Sequence, residues 1–173
     1  MTLQIPTTTE TSIINFMIRK AEPNDTALIL DFIKQLAIYE KMLNDVVADE
    51  SSLLEYLFCK NPFAHVVIGE YEDLPVSFAL FFTNFSTFLG RPGIFLEDLF
   101  VKPEYRGRGF GKSMLAFLAK LAVDNNFGRV EWSVLNWNES AINFYKSLGA
   151  VSMNEWTTFR VSGESMKKIG TML

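Results

Sequence analysis

A glycine-rich, basic turn at residues 106–112 joins an apolar strand to an amphipathic helix, and this junction constrains the fold more than any other feature of the chain. Gly107, Gly109 and Gly111 have no Cβ, so the backbone can adopt positive φ there and bring its N–H groups close to an anion. The helix predicted to follow, over about 111–125, directs the positive end of its dipole at the same place. These features are typical of a turn that binds phosphate groups.

Motif spacing separates three phosphate-binding interpretations of this turn. A Walker A loop requires GxxxxGK[ST]; Gly111–Lys112–Ser113 would supply its end, but the position of its first glycine holds Arg106. A dinucleotide fingerprint requires GxGxxG, and neither possible starting glycine, Gly107 or Gly109, places a glycine at the last position. RxxGxG fits residues 106–111 without adjustment.

Arg106, Arg108 and Lys112 concentrate positive charge in this turn, although the whole chain carries 16 Lys and Arg against 20 Asp and Glu and has a net charge of −4. Phosphate contacts dominate affinity for nucleic acid, so an acidic chain is poorly suited to that ligand. Net negative charge is compatible with a cationic substrate. We therefore expect an anionic ligand at the turn and no nucleic-acid partner.

The length of 173 residues and the apolar content of 49%, with 16 Phe, predict one domain with a packed core. We expect residues 13–173 to form this domain and residues 1–12 to form a flexible tail. The longest apolar runs, such as Phe78–Phe82, are far shorter than the ~20 residues of a membrane span. No membrane partner is expected.

Cysteine and histidine are too few to build most metal or nucleophilic sites. Cys59 is the single cysteine, which excludes an internal disulfide and a cysteine-based zinc site. A lone thiol suits a reducing compartment, so we expect a cytoplasmic protein. His65 is the single histidine and begins an apolar strand, which favours a structural role. No metal site is expected.

Hydrophobic periodicity predicts an α+β fold in which helices flank a mixed, largely antiparallel sheet. The strand at 94–101 reaches the strand at 129–135 through a helix, so these two strands should be parallel. Residues 84–93 are expected to form a loop. The predicted strands are 13–19, 65–71, 76–83, 94–101, 129–135 and 156–161, and the predicted helices are 23–41, 49–58, 111–125, 139–148 and a last turn at 164–169.

Strict alternation along the strand 94–101 predicts that Glu97 and Asp98 lie on opposite faces of the sheet. Two carboxylates inside an apolar strand are costly unless each is paired, hydrated or used. Their position directly before the glycine-rich turn favours a functional site. In this prediction one face carries Phe95, Glu97, Leu99 and Val101, and the other carries Leu96, Asp98 and Phe100.

A second signature lies at 138–150, where Asn138, Ala141, Phe144–Tyr145 and Gly149 match NxxAxxFYxxxG. With RxxGxG, it makes the chain resemble the GCN5-related N-acetyltransferase (GNAT) superfamily over roughly residues 16–170. The resemblance implies the single-domain fold of that superfamily, with its strand–RxxGxG–helix cofactor loop, and acetyl transfer from acetyl-CoA to an amine. It also implies that Tyr145 donates a proton to the departing thiolate, since a phenol is protonated at neutral pH.

Within the superfamily, the chain is similar to the diamine (spermidine/spermine) and thialysine N-acetyltransferases, through motifs such as Tyr39–Glu40 and Leu96–Glu97–Asp98. This similarity implies that Tyr39, Glu40 and Glu97 contact the amine, and it implies a homodimer. Glu97, acting through water, is the candidate base that removes the proton from the amine. The residues implied to bind the cofactor are Leu99, Phe100, Val101, Arg106, Gly107, Arg108, Gly109, Phe110, Gly111, Lys112, Asn138 and Ser140.

One departure concerns the loop before the strand 94–101. Polyamine acetyltransferases carry an acid and a tryptophan there, whereas this chain has Ser86–Thr87–Phe88–Leu89–Gly90–Arg91. This segment is closer to that of the thialysine branch. The leading hypothesis is therefore an acetyltransferase for a small primary amine: a diamine, a polyamine or a thialysine-like amino acid. Two alternatives stay open: the same fold acting on a protein N-terminus or lysine, and a non-catalytic module that binds acyl-CoA.

Overall fold

A computed structural model describes residues 3–173, which divide after Ser133 into two compact units that are described one at a time. The first unit contains a six-stranded sheet whose strands follow one another in chain order. Neighbouring strands are antiparallel, except that the last two are parallel. The strands are β1 (Thr8–Glu10), β2 (Phe16–Lys20), β3 (His65–Tyr71), β4 (Leu74–Ser86), β5 (Arg91–Val101) and β6 (Val130–Trp132).

Three α-helices accompany this sheet: α1 (Thr26–Glu40), α2 (Glu50–Leu57) and α3 (Phe110–Asp124). Short 3₁₀ turns lie at Pro23–Asp25, Leu43–Asp45 and Pro103–Tyr105. The start of α1 is held to the sheet by Arg19, whose guanidinium binds the carboxylates of Asp25 at 2.7 Å and Glu70 at 2.8 Å. Burial of the Asp25 carboxyl opposes its ionisation, but the hydrogen bonds from Arg19 and the backbone lower its pKa.

The two faces of the sheet carry separate helices. Phe78 of β4 stacks on Phe32 of α1, with ring centres 5.2 Å apart, in a core cluster that also contains Phe100. Adjacent residues of a strand point to opposite faces, so Ser77 faces away from α1. A Cβ on Gly69 would touch Ser77 and would come within 2.7 Å of Phe16, whose ring stacks on Phe110 of α3. Helices α1 and α3 therefore lie on opposite faces.

A β-bulge interrupts the pairing of β4 with β5. Leu80 lies opposite Asp98, and the next residue, Phe81, lies opposite Leu96, so Glu97 has no partner on β4. An extra residue of this kind shifts the alternation of side chains by one. The prediction of strict alternation is therefore wrong before Glu97: Leu96 lies on the face of Leu99, not on the face of Asp98.

Several predicted elements are confirmed. Helix α1 ends before Lys41, which adopts a left-handed conformation at φ +64°, and the side chain of Asp49 accepts the Ser52 N–H to cap α2. Strand β3 has the predicted bounds, and β5 and β6 are parallel. Apolar runs between clear turn signals explain why these elements can be recognised from sequence alone.

Other expectations are wrong. The segment 1–12 was expected to be a flexible tail, but Thr8–Glu10 pairs with β2; residues 1 and 2 lie outside the described residues. The expected loop 84–93 is largely a hairpin, because β4 runs on to Ser86 and β5 begins at Arg91. The last strand of the sheet spans only Val130–Trp132. Burial and partner strands, which a single-sequence pattern does not report, decide these boundaries.

The second unit, residues 134–173, contains α4 (Glu139–Ser147) and α5 (Gly163–Gly170). The side-chain oxygen of Asn138 accepts the Ala141 N–H at 3.2 Å and caps α4, as its position predicts. The strand expected at 156–161 is absent from the described chain, and residues 151–173 are exposed. Among the described residues of either unit, none of the helices is long and apolar enough to cross a membrane.

Candidate active site

The glycine-rich turn leads from β5 into α3. Gly107 and Gly109 adopt positive φ, +76° and +88°, and Gly109 directly precedes the helix. The first N–H groups of a helix have no acceptor within it and lie at the positive end of its dipole. Lys112 is exposed in this first turn. The turn therefore presents backbone donors and a cation to an anionic group.

The other residues of the predicted cofactor motif differ in which of their groups a ligand could contact. Phe110 is only 1% exposed and packs in the core, so it can offer a ligand its N–H but not its ring. Gly111 packs beside β5, where an added Cβ would lie 3.7 Å from Val101 Cγ2. Arg108 is exposed, and its guanidinium carbon lies 5.3 Å from the ring centre of Tyr105.

Beyond Leu96, one edge of β5 is open, since no strand among the described residues pairs with it there. The parallel pairing with β6 consists of Ile94–Val130, Phe95–Glu131 and Leu96–Trp132, and it ends there. Across the bulge on the other edge, β5 stays paired with β4 as far as Val101. A strand whose neighbour has separated presents unpaired N–H and C=O groups to a ligand.

The hydrogen-bond pattern shows which residues face this open edge. Lys102 N–H donates to the Val76 carbonyl at 2.9 Å. Hydrogen-bonded pairs alternate along an antiparallel ladder, so Phe100 directs its backbone groups to β4, whereas Leu99 and Val101 direct theirs to the open edge. Phe100 is also only 3% exposed. Of the three predicted strand residues, Leu99 and Val101 are the ones positioned to bind a ligand through backbone groups.

Three carboxylates lie near this edge. Glu97 is exposed in the bulge, Asp98 is half-buried beside it, and Glu40 ends α1. Burial, followed by the charges of Glu97 and Glu40, raises the pKa of Asp98 from 3.8 to about 6. Burial also raises the pKa of Glu40. A cation placed among these carboxylates would relieve their mutual repulsion.

The sequence prediction included Glu40 and Glu97 but did not assign Asp98 a role. The sequence feature that could have indicated a role is the placing of a carboxylate within an apolar strand. In the structure Asp98 lies opposite Leu80 and next to Phe100, on the face of the sheet that packs against α1. Among the residues that the structure describes, these acids do not converge into a group able to hold a metal ion. Their arrangement suits an organic cation.

Arg106 connects the turn to α1. Its guanidinium carbon lies 4.7 Å from the ring centre of Tyr39 and 5.6 Å from that of Phe100. Its Nε donates to the Val101 carbonyl at 3.0 Å. Arg106 was predicted to bind the cofactor and Tyr39 the amine, and the structure brings the two side chains together.

The remaining predicted residues belong to the second unit. Asn138 uses its side-chain oxygen to cap α4, and Ser140 is exposed in the first turn of that helix. Tyr145 lies farther along α4 and is half-buried, with its ring centre 5.4 Å from that of Phe144. Their roles toward the cofactor stay predictions.

Comparison with known proteins decides the family. The model of the acetyltransferase (GNAT) family matches residues 35–150, which include β5, the turn, α3 and α4. The chain belongs to the GNAT family. Its fold is the GNAT fold, and the chain is an acetyl-CoA-dependent N-acetyltransferase. The superfamily that the two motifs indicate is thus confirmed.

Similar proteins include the thialysine N-epsilon-acetyltransferase of Sus scrofa, 37% identical over 88% of this chain and 96% of the relative. The L-ornithine N5-acetyltransferase NATA1 of Arabidopsis thaliana is 34% identical over 88% of this chain and 86% of its own length. Among solved structures, an integron cassette protein from the mobile metagenome of V. cholerae superposes with a TM-score of 0.75 at 26% identity, covering 91% of this chain and 98% of its own.

The first unit of this GNAT enzyme fits the acetyl donor at two places. The donors around Gly107, Gly109 and the start of α3 suit a diphosphate. The backbone groups of Leu99 and the N–H of Val101 face the open edge and suit the amide-containing arm that carries the thioester. A strand edge and a helix start, joined by a short turn, can therefore hold the two chemically different parts of acetyl-CoA.

Proposed function

We propose that this GNAT enzyme transfers an acetyl group from acetyl-CoA to the primary amine of a small cationic substrate, such as a diamine, a polyamine or a thialysine-like amino acid. The observation that carries the proposal is the group of carboxylates formed by Glu40, Glu97 and Asp98 near the open edge of β5. Burial raises the pKa of Asp98 and of Glu40, so both are costly to ionise without a counter-ion, and the exposed Glu97 adds negative charge beside Asp98. A cation is therefore the ligand that this group favours.

The main-chain groups of β5 hold the donor in this proposal. Leu99 N–H faces the open edge and would donate to the carbonyl oxygen of the thioester as that oxygen gains negative charge. Val101 lies two residues farther along the same edge, where its N–H would hold the arm in line. Acetyl-CoA supplies the activated acyl group, and β5 orients it.

The carboxylates act on the amine. An ammonium group has no lone pair, so it must lose a proton before it can attack the thioester. Glu97 is exposed in the bulge and would take this proton through a water molecule, while Asp98 and Glu40 hold the positive charge of the substrate nearby. Tyr39, beside Glu40 in the last turn of α1, would contact the carbon chain of the amine.

Tyr145 is the proposed acid. Its position in the NxxAxxFYxxxG signature supports a role in donating the phenolic proton to the departing thiolate, which would restore the thiol group of coenzyme A. Asn138 fixes the start of the same helix through its cap, and Ser140 lies in the first turn. These two residues are proposed to reach the cofactor from α4.

The β4–β5 hairpin favours a short amine over a long polyamine. Residues 86–91 lie where polyamine enzymes carry an acid and a tryptophan, and this segment contains neither. Ser86 is buried, and its hydroxyl accepts the Leu89 N–H at 3.2 Å. It therefore stabilises the hairpin and carries no charge to bind a distant ammonium group. The similarity to enzymes named for thialysine and ornithine supports the same substrate class.

The test is release of free thiol from acetyl-CoA in the presence of putrescine, spermidine, ornithine, lysine, thialysine and lysine-containing peptides. We expect the small amines to exceed the peptides in kcat/KM by at least about tenfold, because a compact acidic site discriminates by charge and size. Faster turnover with peptides would favour a protein acceptor. Binding of coenzyme A without thiol release from any mixture would favour a non-catalytic module.

Two further features of the proposal concern the state of the protein. A homodimer is expected from the resemblance to related acetyltransferases, and light scattering of the purified chain tests it. A cytoplasmic location is consistent with the single cysteine, Cys59, which is exposed. Fractionation of the cells that express the protein tests this location.

A further inference from the structure

Arg106 differs from the other cations of the glycine-rich turn in what it contacts. Its Nε is bound to the Val101 carbonyl at 3.0 Å, and the flat guanidinium lies against Tyr39 at 4.7 Å and Phe100 at 5.6 Å. Arg108, two residues on, lies against Tyr71 at 5.8 Å and Tyr105 at 5.3 Å, away from α1. Arg106 therefore contacts α1, which carries the amine-binding candidates Tyr39 and Glu40, whereas the two ring contacts of Arg108 are with Tyr71 and Tyr105.

The three contacts of Arg106 reach three parts of the site. Val101 lies on the β5 edge that faces the thioester arm in the proposed function, and its carbonyl oxygen accepts a hydrogen bond from Arg106 Nε. Tyr39 precedes Glu40 in the last turn of α1, so the orientation of that turn affects both residues. Phe100 packs near Phe32, at a ring-centre distance of 6.1 Å, and so ties the same region to the middle of α1.

We propose that Arg106 is a positioning residue that couples the cofactor turn to the amine-binding end of α1. Binding of a diphosphate to the turn orders Arg106, which fixes the ring of Tyr39 and with it the carboxylate of Glu40. The amine then binds more tightly to the enzyme that already holds its acyl donor. This inference rests on the proposed function and adds to it a coupling between the two binding sites.

Coupling of this kind is reciprocal: if the donor strengthens amine binding, the amine must strengthen donor binding by the same factor. Free coenzyme A is the probe for one direction, with its Kd measured by calorimetry in the absence and presence of saturating putrescine. The Kd of putrescine, measured by calorimetry in the absence and presence of saturating coenzyme A, reports the other direction. The wild-type enzyme should show tighter binding of coenzyme A when putrescine is present.

Four variants distinguish a positioning role of Arg106 from a role that depends only on its positive charge. Arg106→Lys keeps the positive charge but loses the flat group that stacks on Tyr39. Tyr39→Leu removes the ring, and Tyr39→Phe keeps it. Arg108→Lys is the matched control, because it makes the same chemical change in the same turn without a contact to α1.

We expect Arg106→Lys and Tyr39→Leu each to raise the putrescine KM by about two- to fivefold at saturating acetyl-CoA, the range of one cation–π contact between exposed side chains. Arg108→Lys should change the KM for acetyl-CoA and leave the amine KM as it is. The double variant Arg106→Lys/Tyr39→Leu should be no worse than the poorer single variant, because both remove one contact. Tyr39→Phe should restore the coupling.

The inference also makes a prediction that needs no amine. Tyr39→Leu changes a residue outside the cofactor turn, yet it should weaken binding of coenzyme A alone by a few-fold, because Arg106 loses the surface that orders it. Unchanged affinity for coenzyme A in Tyr39→Leu, or an amine KM that is unchanged in Arg106→Lys, overturns the coupling. Failure of the proposed function gives a different result, since the wild-type enzyme would then release no thiol with any amine.

Discussion

Replacing Asp98 by asparagine should stabilise the ligand-free enzyme at neutral pH and weaken its binding of the amine. Asp98 is half-buried, and Glu97 and Glu40 repel its charge, so the ionised form is held in an unfavourable environment until a cation arrives. Asparagine has a similar shape and no charge. The variant would thus gain folding stability at the cost of function, as is common at binding sites.

The pKa of Asp98 gives the magnitude and the sign of the expected change in the free energy of unfolding. It rises from 3.8 to about 6 in the folded chain, and one pKa unit corresponds to about 1.4 kcal/mol. Between these values the folded protein keeps a proton that the unfolded chain has lost, so the free energy of unfolding falls as the pH rises through this window. The full loss, at most about 3 kcal/mol, is present above the folded pKa. Asp98→Asn should be free of this loss.

Urea unfolding of both ligand-free proteins tests the prediction at several values between about pH 4 and about pH 7.5. The variant should be nearly equal to the wild type at the acid end and more stable at the neutral end. Glu104→Gln, at an exposed carboxylate, is the control and should show no such trend. A difference between wild type and Asp98→Asn that stays constant across this range would refute the reasoning.

Four further substitutions test the chemistry and the turn. Tyr145→Phe should lower kcat by roughly 10²–10⁴ in a thiol-release assay, the range of a positioned acid; unchanged turnover would remove Tyr145 from the mechanism. Glu40→Gln should raise the amine KM more than it lowers kcat, and a loss confined to kcat would contradict a binding role. Gly109→Ala places a Cβ at φ +88° and 3.3 Å from Ile13, and should cost about 1–2 kcal/mol in urea unfolding. It should also weaken binding of coenzyme A, whereas Gly107→Ala, at φ +76° in open space, should cost the backbone strain without the contact.

The parts of the site that could be predicted from the sequence are those encoded locally. RxxGxG between a strand and a helix fixed the turn, since Gly107 and Gly109 are needed for positive φ. Asn138 was recognised as a helix cap because its residue type and its place before an amphipathic segment suffice for that role. Glu40 and Glu97 came from the resemblance to a family and were not worked out from their spacing.

The parts that could not be predicted depend on contacts between distant segments. The bulge at Glu97 follows from how β4 meets β5, and one strand alone gives no sign of it. The raised pKa of Asp98 depends first on burial and then on the charges of Glu97 and Glu40, and both the burial and Glu40 require the contact of β5 with other elements. Arg106 and Tyr39 were each predicted to bind a ligand, but their stacking required the packing of α1 against the end of β5.

The place of Glu97 in β5 also bears on why an acidic residue is found there. Leu96 and Asp98 already lie opposite consecutive residues of β4, so the hydrogen-bonded ladder would run without interruption if Glu97 were absent. The sheet has no architectural use for a residue at this position. In the proposed function Glu97 serves the reaction and its neighbours serve the sheet, so the two demands on this strand fall on separate amino acids.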